Sequence, residues 1–341
     1  MRFPAREGFR VPGEWAPHAR CWMAWPCRDA AWRGRMDAAR DAYAAVAQAI
    51  AAFEPVTMLA RPEDTVDAAR RCGSQVEIAA MPLDDSWTRD SGPTFLAGPS
   101  GRMAGIAWGF NAWGGKYEPY ETDARLATRL LDRLGFERFE APAVFEGGGV
   151  LCDGEGTVVT TESVLLNANR NPGLTRAAAE RLLADWLGAR KVIWLPGSMA
   201  GDETDGHADN LACFARPGVL LVQSCSDAGD PNHAPLAENL ALLRRETDAQ
   251  GRRFEVLPID QPARMTVDGH RLAAAYVNLY LANGGVVMPS FADPRDAAAQ
   301  AVVAAAFPDR RVAVCPALDI VWGGGGIHCI TQQQPAAGSE G

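Results

Sequence analysis

Histidine is scarce in this 341-residue chain, which has five. Blocks of lysine and arginine are absent, and acidic residues outnumber basic ones 42 to 33, a formal charge of −9. Nucleic acid therefore finds no basic footprint, and the field favours a cationic ligand. Long hydrophobic runs are missing too. The longest, Ala42 to Phe53, spans 12 residues and contains Gln48, too short to cross a bilayer. The opening MRFPAREGFRVPGEW lacks the apolar core of an export signal. The eight cysteines form no CxxC pair. With no export signal they read as reduced thiols, most of them buried, in a cytoplasmic protein. Hydrophobic residues at 48% and charged residues at 22% exclude collagen, coiled coil and wholesale disorder.

What is present is a repeat. Short apolar stretches end in proline at Pro82, Pro142, Pro196, Pro258 and Pro316, at intervals of 60, 54, 62 and 58 residues. A helix-like stretch precedes each: Met36 to Phe53, Asp123 to Leu134, Thr175 to Leu187, Leu236 to Gln250 and Pro294 to Phe307. Glycine follows the second, third and fourth at 135, 188 and 251, as a C-terminal cap would. After four of the prolines comes a pair of apolar runs around a glycine-containing turn, a hairpin signal. The fifth copy stops at HCITQQQ. Units of mixed helix and strand at this period stack as a solenoid or close as a propeller, and five copies without capping repeats favour closure. The rival is an ordinary doubly wound α/β protein. With no interdomain linker visible, residues 1–335 read as a single catalytic α/β domain and 336–341 as a flexible tail.

The loops after the prolines hold the unusual polar residues: Asp90, Glu146, His207, Asp209 and Cys329. If the units ring a common axis, these loops converge. A thiol and an imidazole supply nucleophile and base. One carboxylate can orient the imidazole, and two can hold a planar cation such as guanidinium. Glycines crowd the same loops, at 147–149 and 323–326. Neither run matches a phosphate loop or a dinucleotide fingerprint, so no nucleotide is expected.

The segments WTRDSGP (87–93), FNAWGGKY (110–117), EGGG (146–149), TTESVLLNANRNP (160–172), DETDGHADN (202–210), VNLYLANGG (277–285) and GGGGIHCITQQQP (323–335) resemble the agmatine deiminase family. The likeness runs from about Pro17 to Pro335 and places the chain in the guanidine-modifying superfamily. It implies an α/β fold, a five-bladed propeller (pentein) of ββαβ units with pseudo-fivefold symmetry, in agreement with the repeat. It implies hydrolysis of agmatine to N-carbamoylputrescine and ammonia, a step of polyamine biosynthesis, without cofactor or metal. By the same likeness Cys329 forms an amidino-cysteine intermediate, and His207 protonates departing ammonia and then activates water. Asp90 and Asp209 clamp the guanidinium, and Glu146 sits beside the histidine. A homodimer is the assembly it suggests. The family commonly has GGGNIHC before its cysteine; here Gly326 replaces that asparagine, which bears on a local contact near the amine end or on loop stiffness.

Each assignment has a plainer counterpart. Cys329 could be a core thiol, Asp90 the partner of Arg89, and Glu146 or Asp209 a loop cap. His207 is the best base candidate, since His18, His233, His270 and His328 have no carboxylate two residues on. A metal at His207 and Asp209 lacks a second histidine at ligand spacing. His328 reads as structural, because adjacent strand residues face opposite ways. Trp87, Trp113 and Trp108 suit the walls of a site for a polymethylene ammonium, or the core. Arg89 is the one basic residue inside the proposed loops, which favours agmatine over arginine with its α-carboxylate. The alternatives are a deiminase of free or peptidyl arginine or another alkylguanidine, and a non-catalytic propeller that only binds.

Overall fold

Alternating apolar residues between tight turns make each hairpin, and an amphipathic helix then returns the chain to lay a third strand parallel to the second. The computed structural model, which describes residues 2–267 and 269–338, contains this unit five times. In the second unit, β4 (Thr94–Ala97) and β5 (Met103–Gly109) are antiparallel. The Leu126–Leu134 helix follows, and β6 (Glu137–Val144) pairs parallel to β5. The third unit is β7 (Val150–Cys152), β8 (Thr157–Thr161), the Arg176–Leu187 helix and β9 (Lys191–Leu195). The fourth is β10 (Ala212–Arg216), β11 (Val219–Ser224), the His233–Leu243 helix and β12 (Glu255–Asp260). A small hairpin, β13 (Thr266–Val267) and β14 (His270–Arg271), precedes the last of these. That unit is β15 (Tyr280–Ala282), β16 (Gly285–Ser290), the Asp296–Ala306 helix and β17 (Arg311–Pro316).

The remaining unit joins the two ends of the fold. β18 (Gln332–Pro335) pairs antiparallel with β1 (His18–Ala24), and β1 pairs parallel with β2 (Val56–Ala60) across the Met36–Ala51 helix. The copy that stops at HCITQQQ is thus completed by the N-terminal strand. The architecture is the five-bladed α/β propeller. Ala336 extends the closure, its amide donating to the Pro17 carbonyl at 2.7 Å. Residues 339–341 of the expected tail lie outside the described residues.

Two expectations need correction. Pro82 follows β3 (Val76–Ala80), an extra strand that pairs parallel with β2. The true counterpart of β6, β9, β12 and β17 is β2, and the Thr65–Cys72 helix with β3 is an insertion in that unit. The prolines of β6, β12 and β17 sit on strands at the edge of their sheets, where a missing N–H is tolerated. The fourth helix starts at His233 and ends at Leu243, short of Gly251. Gly251 instead belongs to a turn built by Asp248, whose Oδ1 accepts from the amides of Gln250 and Arg252 at 2.9 Å each. The expected caps hold at Gly135 and Gly188, with φ of 65° and 77°. Thr175 caps the third helix, its side chain accepting from the Ala178 amide.

The main apolar core packs the helices of the first, fourth and fifth units against their sheets, and a second core centred on Trp108, Trp186 and Leu183 serves the third. Among the described residues no helix is long and apolar enough to cross a membrane.

Candidate active site

The polar residues of the interstrand loops meet where the units converge. Asp90 is carried by the short Thr88–Ser91 helix before β4, and Glu146 opens the glycine turn before β7. His207 precedes the single turn Ala208–Asn210 before β10, and Asp209 lies within it. Cys329 lies in the turn before β18. All five are buried.

Glu146 and His207 form the first pair. The imidazole Nε2 is 3.1 Å from Glu146 Oε2. Arg170, from the NANRNP segment, backs the carboxylate with Nε at 2.8 Å from Oε1 and Nη2 at 3.2 Å from Oε2. This guanidinium also donates to the Thr204 carbonyl at 3.0 Å and pairs with Asp205. Burial pushes the Glu146 carboxyl up, but the His207 and Arg170 bonds prevail and hold it below its ordinary value. For His207, burial favours the neutral ring, yet Asp90 and Glu146 outweigh it and raise its pKa to about 10. Its Nδ1 has no hydrogen-bond partner and lies 3.8 Å from Asp90 Oδ2.

Asp90 is held by the Trp113 indole N–H and the Gly148 amide, both at 2.9 Å. Burial raises its pKa despite His207. Asp209 Oδ2 accepts from His328 Nδ1 at 2.9 Å, while Oδ1 is unpartnered. Burial raises the Asp209 carboxyl as well, but His328, His207 and Arg89 bring it below its ordinary value. The Cys329 sulfur is 3.5 Å from Asp209 Oδ2. Burial first, then Asp209 and Asp90, push this thiol well above the usual range.

Gly148 marks the focus of the set. A Cβ there would lie 2.5 Å from His207 Nδ1, 2.9 Å from Asp209 Oδ2 and 3.0 Å from Asp90 Oδ1. Three polar groups therefore surround one point that only glycine leaves open. The cavity beside it is lined by Trp87, Trp113, Tyr117, Asp85, Glu203 and Cys329, among others. Asp85 is pushed up to about 6 by burial, against the pull of Arg28. Among the described residues lining the cavity there is no lysine or arginine. Two unpartnered acceptor and donor sites, an excess of carboxylate and aromatic walls suit a flat cation with an apolar tail.

Trp87 and Trp113 line this cavity as expected. Trp108 does not; it stacks on Phe145 at 4.3 Å within the second core. His328 also departs from expectation. The segment is a turn rather than a strand, so His328 and Cys329 both reach Asp209, and His328 Nε2 meets Glu14 at 2.9 Å. Two contributors had no assigned role in the sequence reading, Arg170 and Asn278. Each lies inside a segment that carries the family likeness, which was the available signal. Gly326 abuts Asn278.

An opening of this kind, walled by a thiol and charged to receive a planar cation, places the chain among the guanidine-modifying α/β propellers. It belongs to the Porphyromonas-type peptidyl-arginine deiminase family, whose pattern matches residues 10–335. A provisionally named agmatine deiminase of Legionella pneumophila is 46% identical, covering 97% of this chain and 96% of its own. The agmatine deiminase of Pseudomonas aeruginosa is 43% identical over 98% of this chain and 97% of its own. Among solved structures, the agmatine deiminase of Enterococcus faecalis superposes with a TM-score of 0.96 at 33% identity, covering 99% of this chain and 98% of that one.

Proposed function

We propose that this chain is an enzyme that hydrolyses agmatine to N-carbamoylputrescine and ammonia, with residues 1–335 acting as one catalytic unit. The observation that carries the reading is the open point at Gly148, faced by His207, Asp209 and Asp90 beside the Cys329 thiol. A guanidinium there exchanges hydrogen bonds with the two aspartates. Its positive charge favours the thiolate of Cys329. The sulfur attacks the guanidinium carbon, and His207, held as imidazolium by Glu146, protonates the departing nitrogen. Ammonia leaves, and an S-alkylthiouronium stays on Cys329. The neutral His207 then takes a proton from water, whose oxygen adds to the same carbon. Collapse expels the sulfur and releases the ureido product. Asp90 and Asp209 stabilise positive charge throughout, so the gain in rate comes from placement of sulfur and from proton transfer, the latter about 10²–10⁴-fold.

Trp87 and Trp113 suit the polymethylene chain, and the acids Asp85 and Glu203 of the same wall suit an ammonium. An arginine α-carboxylate would face these acids without a basic partner, which supports agmatine over free arginine. A cytoplasmic setting suits the eight unpaired cysteines. Self-association as a homodimer rests on the family likeness, and sedimentation analysis tests it.

Purified protein incubated with agmatine is expected to yield ammonia and N-carbamoylputrescine, and the Cys329→Ser variant to yield neither. A kcat/KM for arginine about tenfold above that for agmatine, or ~1.4 kcal/mol, would replace the substrate assignment. Activity retained by Cys329→Ser would remove the nucleophile assignment.

A further inference from the structure

The Cys329 sulfur has a neighbour that the reaction described above does not use. Asn278, in the loop before β15, places its side-chain Nδ2 at 3.2 Å from Sγ. Which end of this amide faces the sulfur is fixed by chemistry. The other end lies 2.8 Å from the His328 backbone nitrogen, which can only donate. The atom there is therefore the oxygen, and the NH2 faces Cys329. The second Nδ2 hydrogen goes to Asn210 Oδ1 at 3.0 Å. Three partners on two separate segments hold the amide, and it is buried.

The backbone of Gly326 packs against the same amide. Gly326 has a reason to lack a side chain, since a Cβ would fall 2.3 Å from Asn278 Oδ1. In this chain, whose loop is set for glycine at 326, an added Cβ would push the amide from its place.

We infer that the Asn278 side-chain amide forms a cradle whose N–H donor stabilises the thiolate of Cys329 and aims its sulfur, which makes Asn278 a catalytic residue. This rests on Cys329 being the nucleophile. The amide neither gains nor loses a proton in this role. The charged groups facing the sulfur are Asp209 and Asp90, which oppose the thiolate, with Tyr43 neutral nearby. Burial adds to the opposition. Donors are therefore what a nucleophilic sulfur in this position lacks from any other source in its immediate shell.

The test compares wild type with Asn278→Asp and Asn278→Ala. Aspartate has the same shape and keeps an acceptor for the His328 amide, but it cannot donate to sulfur. The readout is the rate of Cys329 alkylation by iodoacetamide against pH in substrate-free protein, with the site identified by peptide mass spectrometry. Both variants are expected to raise the midpoint by about one pH unit or more and to slow alkylation at neutral pH roughly tenfold. With agmatine, kcat should fall at least as much while KM changes little. A midpoint unchanged in folded Asn278→Ala overturns the inference. If that variant does not fold, Gly326→Ala, which displaces the amide and retains it, must give the same rise, and an unchanged midpoint there overturns it equally. Alkylation reports on the cradle alone, whereas activity surviving in Cys329→Ala would remove the nucleophile assignment and leave the measured midpoints standing.

Discussion

Gly148 carries a hydrogen where any other residue would place a carbon, within 3.0 Å of His207, Asp209 and Asp90 at once. Gly148→Ala should therefore fill the space meant for the guanidinium. A fall in kcat/KM of about 10²-fold or more is expected, with the far-UV circular dichroism unchanged. Glu146 acts on His207 in a different way. Its charge and hydrogen bond help lift the imidazole to about 10. Glu146→Gln removes that support, so the ring should lose its proton at lower pH. The alkaline limb of the kcat profile against pH is expected to move down, and kcat itself to drop by about 10²-fold. An alkaline limb that stays in place would show that another group donates the proton. Arg170 pairs with Glu146 with both side chains essentially inaccessible. Arg170→Ala leaves a buried carboxylate with half its partners gone and should destabilise the fold by about 3–5 kcal/mol in urea denaturation.

Elements are where the sequence was most readable, and where its limits have physical causes. Hairpins, helices and their caps are local, and so they appear in the order of residues. Thr175 and Gly188 bound the Arg176–Leu187 helix because capping depends on a few neighbouring groups. Leu183 on its inner face is fully buried, and Leu183→Ala should lower stability by about 2–5 kcal/mol, measured by denaturant midpoint. The insertion of the Thr65–Cys72 helix and β3 was missed because a proline, Pro82, comes just after β3 as prolines end or follow the repeat strands. Local pattern cannot tell an added strand from a counterpart; only the pairing of β3 to β2 does. The five polar residues were legible through chemical type and period. Asn278 and Arg170 were not, because an asparagine or an arginine has no distinctive reactivity until its partners are known. His328 was misjudged from a strand periodicity that a turn does not obey.

At the scale of the molecule, the strand pairing that completes the ring joins residues more than three hundred positions apart, Cys21 opposite Gln333. Such a contact carries a large loop-closure cost and is repaid only when the rest of the ring is in place. Removing residues 332–338 should abolish both activity and cooperative unfolding, followed by circular dichroism and dye binding to exposed apolar surface. Stability should also follow pH through the buried charges. His207 binds its proton more tightly folded than unfolded, so its contribution is complete below pH 6.5 and declines as pH rises to about 10. Glu146 and Asp209, held below their ordinary values, contribute above the carboxylate range and lose that contribution in acid. Thermal unfolding of wild type across pH 6.5 to 10 should thus fall more steeply than that of His207→Asn, whose slope lacks this proton.

The closure by β18 has a consequence in time. A ribosome makes Asp90 239 residues before Cys329, the difference of their positions. At ~5–20 residues per second, that is roughly 12 to 48 seconds. Throughout that interval the nascent chain carries the carboxylates, and later the histidine, but neither the thiol nor the strand that seats it. Until that thiol and that strand arrive the site is incomplete, and no guanidinium compound can be turned over.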